Sequence, residues 1–172
     1  VLDKMGKPHI EAYKKFQQKF YAITKGMGKE QYLVPYLMSS HPGSTLKEAI
    51  DLAVFLKEHN MRPEQVQDFY PTPGTLSTCM FYTGYDPYTM EEVYVPKTPE
   101  EKKMQRTLLQ YFKPENKKIV ISALKKAGRH DLIGYGKNCL VTPENGRNET
   151  RAVNGRKSGK AKNNGIRKKK KR

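Results

Sequence analysis

Tyr32-Leu33-Val34-Pro35-Tyr36-Leu37-Met38 runs into Ser39-Ser40-His41-Pro42-Gly43-Ser44 and then into Thr45-Leu46-Lys47-Glu48. The first seven residues are a near-continuous apolar run too short for a helix, which predicts a strand buried on both faces, as in a parallel sheet. Pro35 is a blemish, because it removes one ladder donor. Ser39 to Gly43 break the chain, and Thr45 with Glu48 three residues on has the form of a capping box. A helix to about residue 59 is therefore expected. Met61-Arg62-Pro63-Glu64 ends it, and Val66-Gln67-Asp68-Phe69-Tyr70 reads as a second short strand closed by Pro71-Thr72-Pro73-Gly74-Thr75. Upstream, Ile10, Tyr13, Phe16, Phe20 and Ile23 recur every three or four residues, predicting an amphipathic helix over 8–25. Helix, strand, turn, helix, strand is the alternation of an α/β fold with parallel strands and crossover helices. Two strands make no stable parallel sheet alone. Either the chain folds irregularly or the remaining strands lie on another piece.

Downstream the pattern changes. Residues 76–98 are rich in Tyr, Thr and Gly and end in a possible strand at 93–95. Helices are expected over 99–111, with Met104, Leu108, Leu109 and Phe112 inward, and over 115–127, with Ile119, Ile121, Leu124 and Ala127 inward. The last 30 of the 172 residues hold 12 Lys and Arg against 2 Asp and Glu, most of the formal charge of +16. They carry four apolar side chains, Ala152, Val153, Ala161 and Ile166, too few to offset the entropy of ordering them. The folded part should end near Val141, leaving a disordered basic tail over 142–172.

Composition excludes several classes. No apolar run approaches the roughly 18–20 residues of a transmembrane helix, so no membrane partner is expected. The start Val1-Leu2-Asp3-Lys4 has no signal or transit character and no initiator Met, as though cut from something longer. Two cysteines, Cys79 and Cys139, make neither a disulfide framework nor a C-x-x-C site, and the four histidines lack ligand spacing. A reducing, cytoplasmic setting is the simplest expectation.

Two segments could carry chemistry. Ser39, Ser40, His41 and Gly43 sit where a strand gives way to a helix, the place where α/β folds bind ligands, and His41 could donate, accept or move a proton. A plain strand-to-helix loop, with Ser and Gly meeting turn geometry, accounts for the same residues. Gln67, Asp68, Phe69 and Tyr70 occupy the matching position after the second strand. Gln67 and Asp68 are polar in an otherwise apolar segment and need partners, either a ligand or groups of the protein itself. Tyr82, Tyr85, Tyr88 and Tyr94 could form a platform for bases, though packing of the segment onto its domain is the favoured reading. Arg167-Lys168-Lys169-Lys170-Lys171-Arg172 can neutralise phosphates without sequence preference, so weak nonspecific nucleic-acid binding is expected of the tail.

The strings 32–45, 64–78 and Met80-Phe81-Tyr82-Thr83-Gly84-Tyr85-Asp86-Pro87 closely resemble the C-terminal portion of the YgiQ-type radical SAM proteins, over about residues 1–141. The resemblance implies a partial (β/α)6 barrel whose N-terminal half carries a C-x-x-x-C-x-x-C motif. Those cysteines bind a four-iron four-sulfur cluster, and its open iron takes S-adenosylmethionine. Reductive cleavage then gives a 5′-deoxyadenosyl radical that abstracts hydrogen from substrate. By this likeness 32–38 is the fifth barrel strand, 66–70 the sixth, and residues after about Leu76 a C-terminal extension. Ser39 to Gly43 match a turn that often reads Gly-Leu-Pro-Gly near the nucleoside, with Ser40 and His41 in place of the first Gly and the Leu. Residues 66–70 match the segment that lies along the adenine.

The resulting expectation is an α/β chain in three parts: 1–75 as the end of a radical SAM barrel, 76–141 as a helical extension, and 142–172 as the tail. Ser39, Ser40, His41, Gly43, Gln67, Asp68, Phe69 and Tyr70 would border S-adenosylmethionine in an enzyme completed by its N-terminal half. No C-x-x-x-C-x-x-C occurs here, so the chain alone should bind no cluster and be inactive, and it names no catalytic residue or substrate. The alternative is a basic module binding RNA or ribosomes through the tail.

Overall fold

The structure is a computed structural model and describes residues 1–144. The expected disordered tail, with its terminal basic run and its nucleic-acid role, lies outside the described residues. Helix α1 spans Ile10–Gly26, strand β1 Met38–Ser39, α2 Leu46–Glu58, strand β2 Gln67–Asp68, α3 Leu76–Thr83, α4 Pro99–Leu109 and α5 Lys117–Lys126. Three 3-10 turns lie at Asp3–Met5, Pro114–Asn116 and His130–Leu132.

The β1–α2–β2 unit follows the sequence closely in order and direction. β1 and β2 are parallel, with Met38 opposite Gln67 and Ser39 opposite Asp68. Gln67 N–H donates to the Leu37 carbonyl (3.2 Å) and Phe69 N–H to that of Ser39 (2.8 Å). Between them α2 starts as expected: Thr45 Oγ1 accepts from Lys47 N–H, and the Glu48 carboxylate accepts from Thr45 N–H. The strands themselves are far shorter than 32–38 and 66–70. From Tyr32 to Leu37 exposed and half-buried residues alternate, the period of an extended chain touching the body on one side only. Tyr32, Val34 and Tyr36 are 75%, 88% and 72% exposed, so burial on both faces does not hold. A ladder also cannot grow through Pro35. Among the described residues the sheet consists of these two parallel strands.

The main core lies elsewhere. Ile50 and Ala53 of α2, Met104 and Leu108 of α4, and Val120 and Leu124 of α5 interlock, closed by Leu132, Leu140 and Val141. α2 and α4 form the most extensive helix contact. Of the helix faces expected inward, Met104, Leu108, Leu109, Ile121 and Leu124 are buried. α1 forms where its periodicity places it, but its apolar stripe finds little cover: Phe16 and Ile23 are more than half exposed, and only Thr24 is buried.

Over 76–98 one element was not foreseen and one expectation is corrected. Thr75 accepts from Thr78 N–H and starts α3, a helix that the Tyr- and Thr-rich composition concealed. No strand forms at 93–95; an isolated antiparallel bridge joins Tyr85 to Glu92 instead. Tyr82 and Tyr88 are about three-quarters or more exposed and pack little, whereas Tyr85 and Tyr94 are about half-buried and the Tyr94 hydroxyl donates to the Glu101 carboxylate of α4.

Candidate functional site at the strand ends

The parallel pairing brings the two candidate segments to one end of the sheet. Ser39 leaves β1 and the chain turns sharply, with Ser40 at φ 62° and Gly43 at φ 85°. At Gly43 a Cβ would meet the Lys4 side chain at 3.3 Å, and its N–H donates to the Tyr94 carbonyl (2.7 Å). Glycine suits both demands. Ser39, Ser40 and His41 are each at most 3% exposed.

What holds this buried turn is Gln105 of α4, itself fully buried. Its Oε1 accepts from Ser40 N–H (3.2 Å) and Ser44 Oγ (3.1 Å), while Nε2 donates to the Ser44 carbonyl (2.7 Å). Sequence reasoning missed Gln105. The signal was present: it lies three and four residues before Leu108 and Leu109 on a core-facing stripe, where a polar group needs partners.

His41 Nδ1 lies 2.8 Å from the Pro42 carbonyl and Nε2 lies 2.8 Å from Ser77 Oγ. A carbonyl only accepts, so Nδ1 carries the proton and Nε2 accepts from Ser77. Burial pushes the imidazole pKa below its ordinary value, although the Pro42 carbonyl opposes this, so the ring is neutral at pH 7. The ring meets Phe69 edge-on at 5.0 Å between centroids, and Phe69 in turn lies 5.7 Å from Phe81. Ser77 and Phe81 both belong to α3, which sequence reasoning did not foresee. This helix occupies the space above the strand ends, so His41 and Phe69 face protein rather than an open bowl.

Asp68 points to the other participants. Its carboxylate accepts from Ser39 Oγ (2.5 Å) and pairs with the Arg106 guanidinium at 3.2 Å. Gln67, its neighbour on the opposite face, accepts from the Tyr36 hydroxyl and is exposed. Tyr70 is 81% exposed. Ser40 Oγ is buried with no hydrogen-bond partner among the described residues. The structure thus joins Ser39 to Asp68 and His41 to Phe69, and leaves Gln67 and Tyr70 outward.

An apolar groove of about 1020 Å³ flanks the strand ends. Ile10, Tyr13, Val34, Leu37, Leu52 and Phe55 are among its walls, with Ser39 at one margin. Among the described residues, no three His, Cys, Asp or Glu side chains gather as a metal site. No helix among them is long and apolar enough to cross a membrane.

A family profile described as a domain of unknown function, DUF3362, matches residues 64–172. The chain belongs to the DUF3362 family. The matched span takes in β2, α3, α4, α5 and the basic segment beyond residue 144. This DUF3362 chain is 57% identical over 163 residues to a UPF0313 protein of Clostridium perfringens, covering 95% of the chain and 25% of that protein. It is 60% identical over 143 residues to a UPF0313 protein of Methanocella arvoryzae, covering 83% of the chain and 24% of that protein. A Clostridium botulinum UPF0313 protein is 59% identical over 141 residues, 82% of the chain and 22% of that protein. The chain spans about a quarter of the length of these relatives. No solved structure matches it.

Proposed function

We propose that this chain is the C-terminal part of a radical SAM enzyme, in which it supplies the last two barrel strands and completes the S-adenosylmethionine pocket on an unidentified substrate. The observation that carries the reading is an unfinished parallel sheet. β1 and β2 run parallel around α2, while the Tyr32-Val34-Tyr36 flank and the adjoining groove of about 1020 Å³ leave a large apolar surface uncovered. Such a surface marks a contact to be made, and the UPF0313 relatives have three further quarters of their length with which to make it. On this reading the partner is the N-terminal portion of the same polypeptide. Gln67, Asp68 and Tyr70 are the strand-end groups exposed enough to meet the nucleoside, whereas Ser40, His41 and Gly43 act from beneath by shaping the turn.

The cluster does not fit the residues of this chain. Its two cysteines, Cys79 and Cys139, lie on different elements, Cys79 on α3 and Cys139 after the last 3-10 turn, and iron–sulfur clusters need several thiolates. Cluster ligands therefore belong to the remainder of the enzyme.

The test uses the full-length Clostridium perfringens relative, reconstituted anaerobically with iron and sulfide. Visible thiolate-to-iron absorbance, and 5′-deoxyadenosine formed from S-adenosylmethionine on reduction, are the expected results. A protein that binds no cluster, or binds one without producing 5′-deoxyadenosine, overturns the reading.

A further inference from the structure

A second cavity, polar and of about 530 Å³, lies between residues 64–67 and α4. Lys103, Arg106 and Thr107 line it, three and four residues apart on one face of α4, with Gln110 just past the helix end. Lys113 and Asn116 close the far end, and Gln67 the near one. Of the lining side chains three are cations and one, Glu64, is a carboxylate, while Asp68 reaches Arg106 from outside the lining. Among the described residues no carboxylate lies within ion-pair distance of Lys103 or Lys113.

The cleft is also built rather than incidental. Gln110 Nε2 donates to the Pro63 and Glu64 carbonyls (3.3 and 2.5 Å), tying the 64–67 wall to α4. Asn116 Nδ2 donates to the Gln110 carbonyl (2.9 Å). Asp68 holds Arg106 by one terminal nitrogen at 3.2 Å, leaving the rest of the guanidinium fork without a carboxylate. The pairing orients Arg106 and offsets only part of the local charge.

We propose that this cleft binds a phosphoryl group through Lys103, Arg106 and Lys113, with amide donors from Gln67 and Asn116. Unpaired ammonium groups beside a pre-oriented guanidinium match a tetrahedral oxyanion with several acceptor oxygens. A surplus of positive charge, walled on two sides, also concentrates anions before contact. The phosphoryl group is either that of a free phosphorylated molecule or that of a nucleic-acid backbone, and the site does not depend on the radical SAM reading.

The test titrates the full 15N-labelled chain with inorganic pyrophosphate in one arm and a single-stranded uridine oligonucleotide in the other. Backbone amides of Lys103, Thr107 and Gln110, and side-chain amides of Gln67 and Asn116, should shift on binding. The variant Lys103→Glu/Lys113→Glu should weaken that response by about tenfold or more. Unchanged core resonances of Leu108 and Val120 establish that this variant remains folded. Saturation by pyrophosphate with no tighter binding of the oligonucleotide supports the free ligand. Tighter oligonucleotide binding that falls steeply with salt supports the backbone. Shifts confined to residues 145–172, or cleft shifts that survive the double substitution, overturn the proposal.

Discussion

Burial takes the His41 imidazole below its ordinary pKa in the folded chain, while in the unfolded chain it titrates near the usual ~6.5. The folded state therefore binds fewer protons as pH falls past that value, and stability is lost there, levelling off once the folded pKa is passed. The other histidines, His9, His59 and His130, are exposed. Unfolding by urea should show a midpoint that declines from about pH 7 toward about pH 5, and His41→Gln should flatten the decline. An unflattened slope in the variant would place the coupling on another group. His41 could be picked out from the sequence because it follows a short apolar run. Its role could not, because Ser77 lies 36 residues away on an unforeseen helix.

At the scale of elements, what fixes the β1–α2 turn is a side chain from α4. Gln105 satisfies Ser40 N–H, Ser44 Oγ and the Ser44 carbonyl across more than sixty residues of sequence. Gln105→Leu keeps the volume and strands all three groups in a dry interior, so it should cost about 1–3 kcal/mol of stability by urea unfolding. A loss below about 0.5 kcal/mol, the range of ordinary surface changes, would show that water replaces the amide. The helices with local signals were legible. α2 has its capping box, and α1 and α4 have their periodic apolar residues. α3 was not legible, because eight residues of Leu, Ser, Thr, Cys, Met, Phe and Tyr form no amphipathic stripe. Its only cue was Thr75, which the surrounding Pro-Thr-Pro-Gly turn disguised.

For the molecule as a whole, the main feature is apolar surface without cover. Tyr32, Val34, Tyr36, Phe16 and Ile23 are all more than half exposed, and Val34 and Tyr36 line a groove of about 1020 Å³. A monomer in water rarely tolerates so much contiguous apolar area. The isolated chain should therefore self-associate at raised concentration and bind hydrophobic dyes. Tyr32→Ser/Val34→Thr/Tyr36→Ser should reduce both with little change in melting temperature, as read by light scattering and thermal unfolding. A variant that melts several degrees lower would place those side chains in the chain's own packing instead.

The sequence by itself determined the direction and order of β1, α2 and β2, since an apolar run, a capping box and a helix of adequate length leave a parallel crossover as the simple solution. It also determined the starts of α2 and α4, placed α1 and α5 to within two residues, and set which faces of α4 and α5 turn inward, because caps and 3.6-residue periodicity act within a few residues. Only the tertiary structure decided how long the strands are and which of their faces is covered. An apolar run states a preference for burial, and whether a partner stands beside it depends on residues far away in the chain. The same reason governs the site. Ser39 with Asp68, His41 with Ser77, and the Ser40–Ser44 turn with Gln105 are pairings across 29 to 65 residues, which no local spacing encodes.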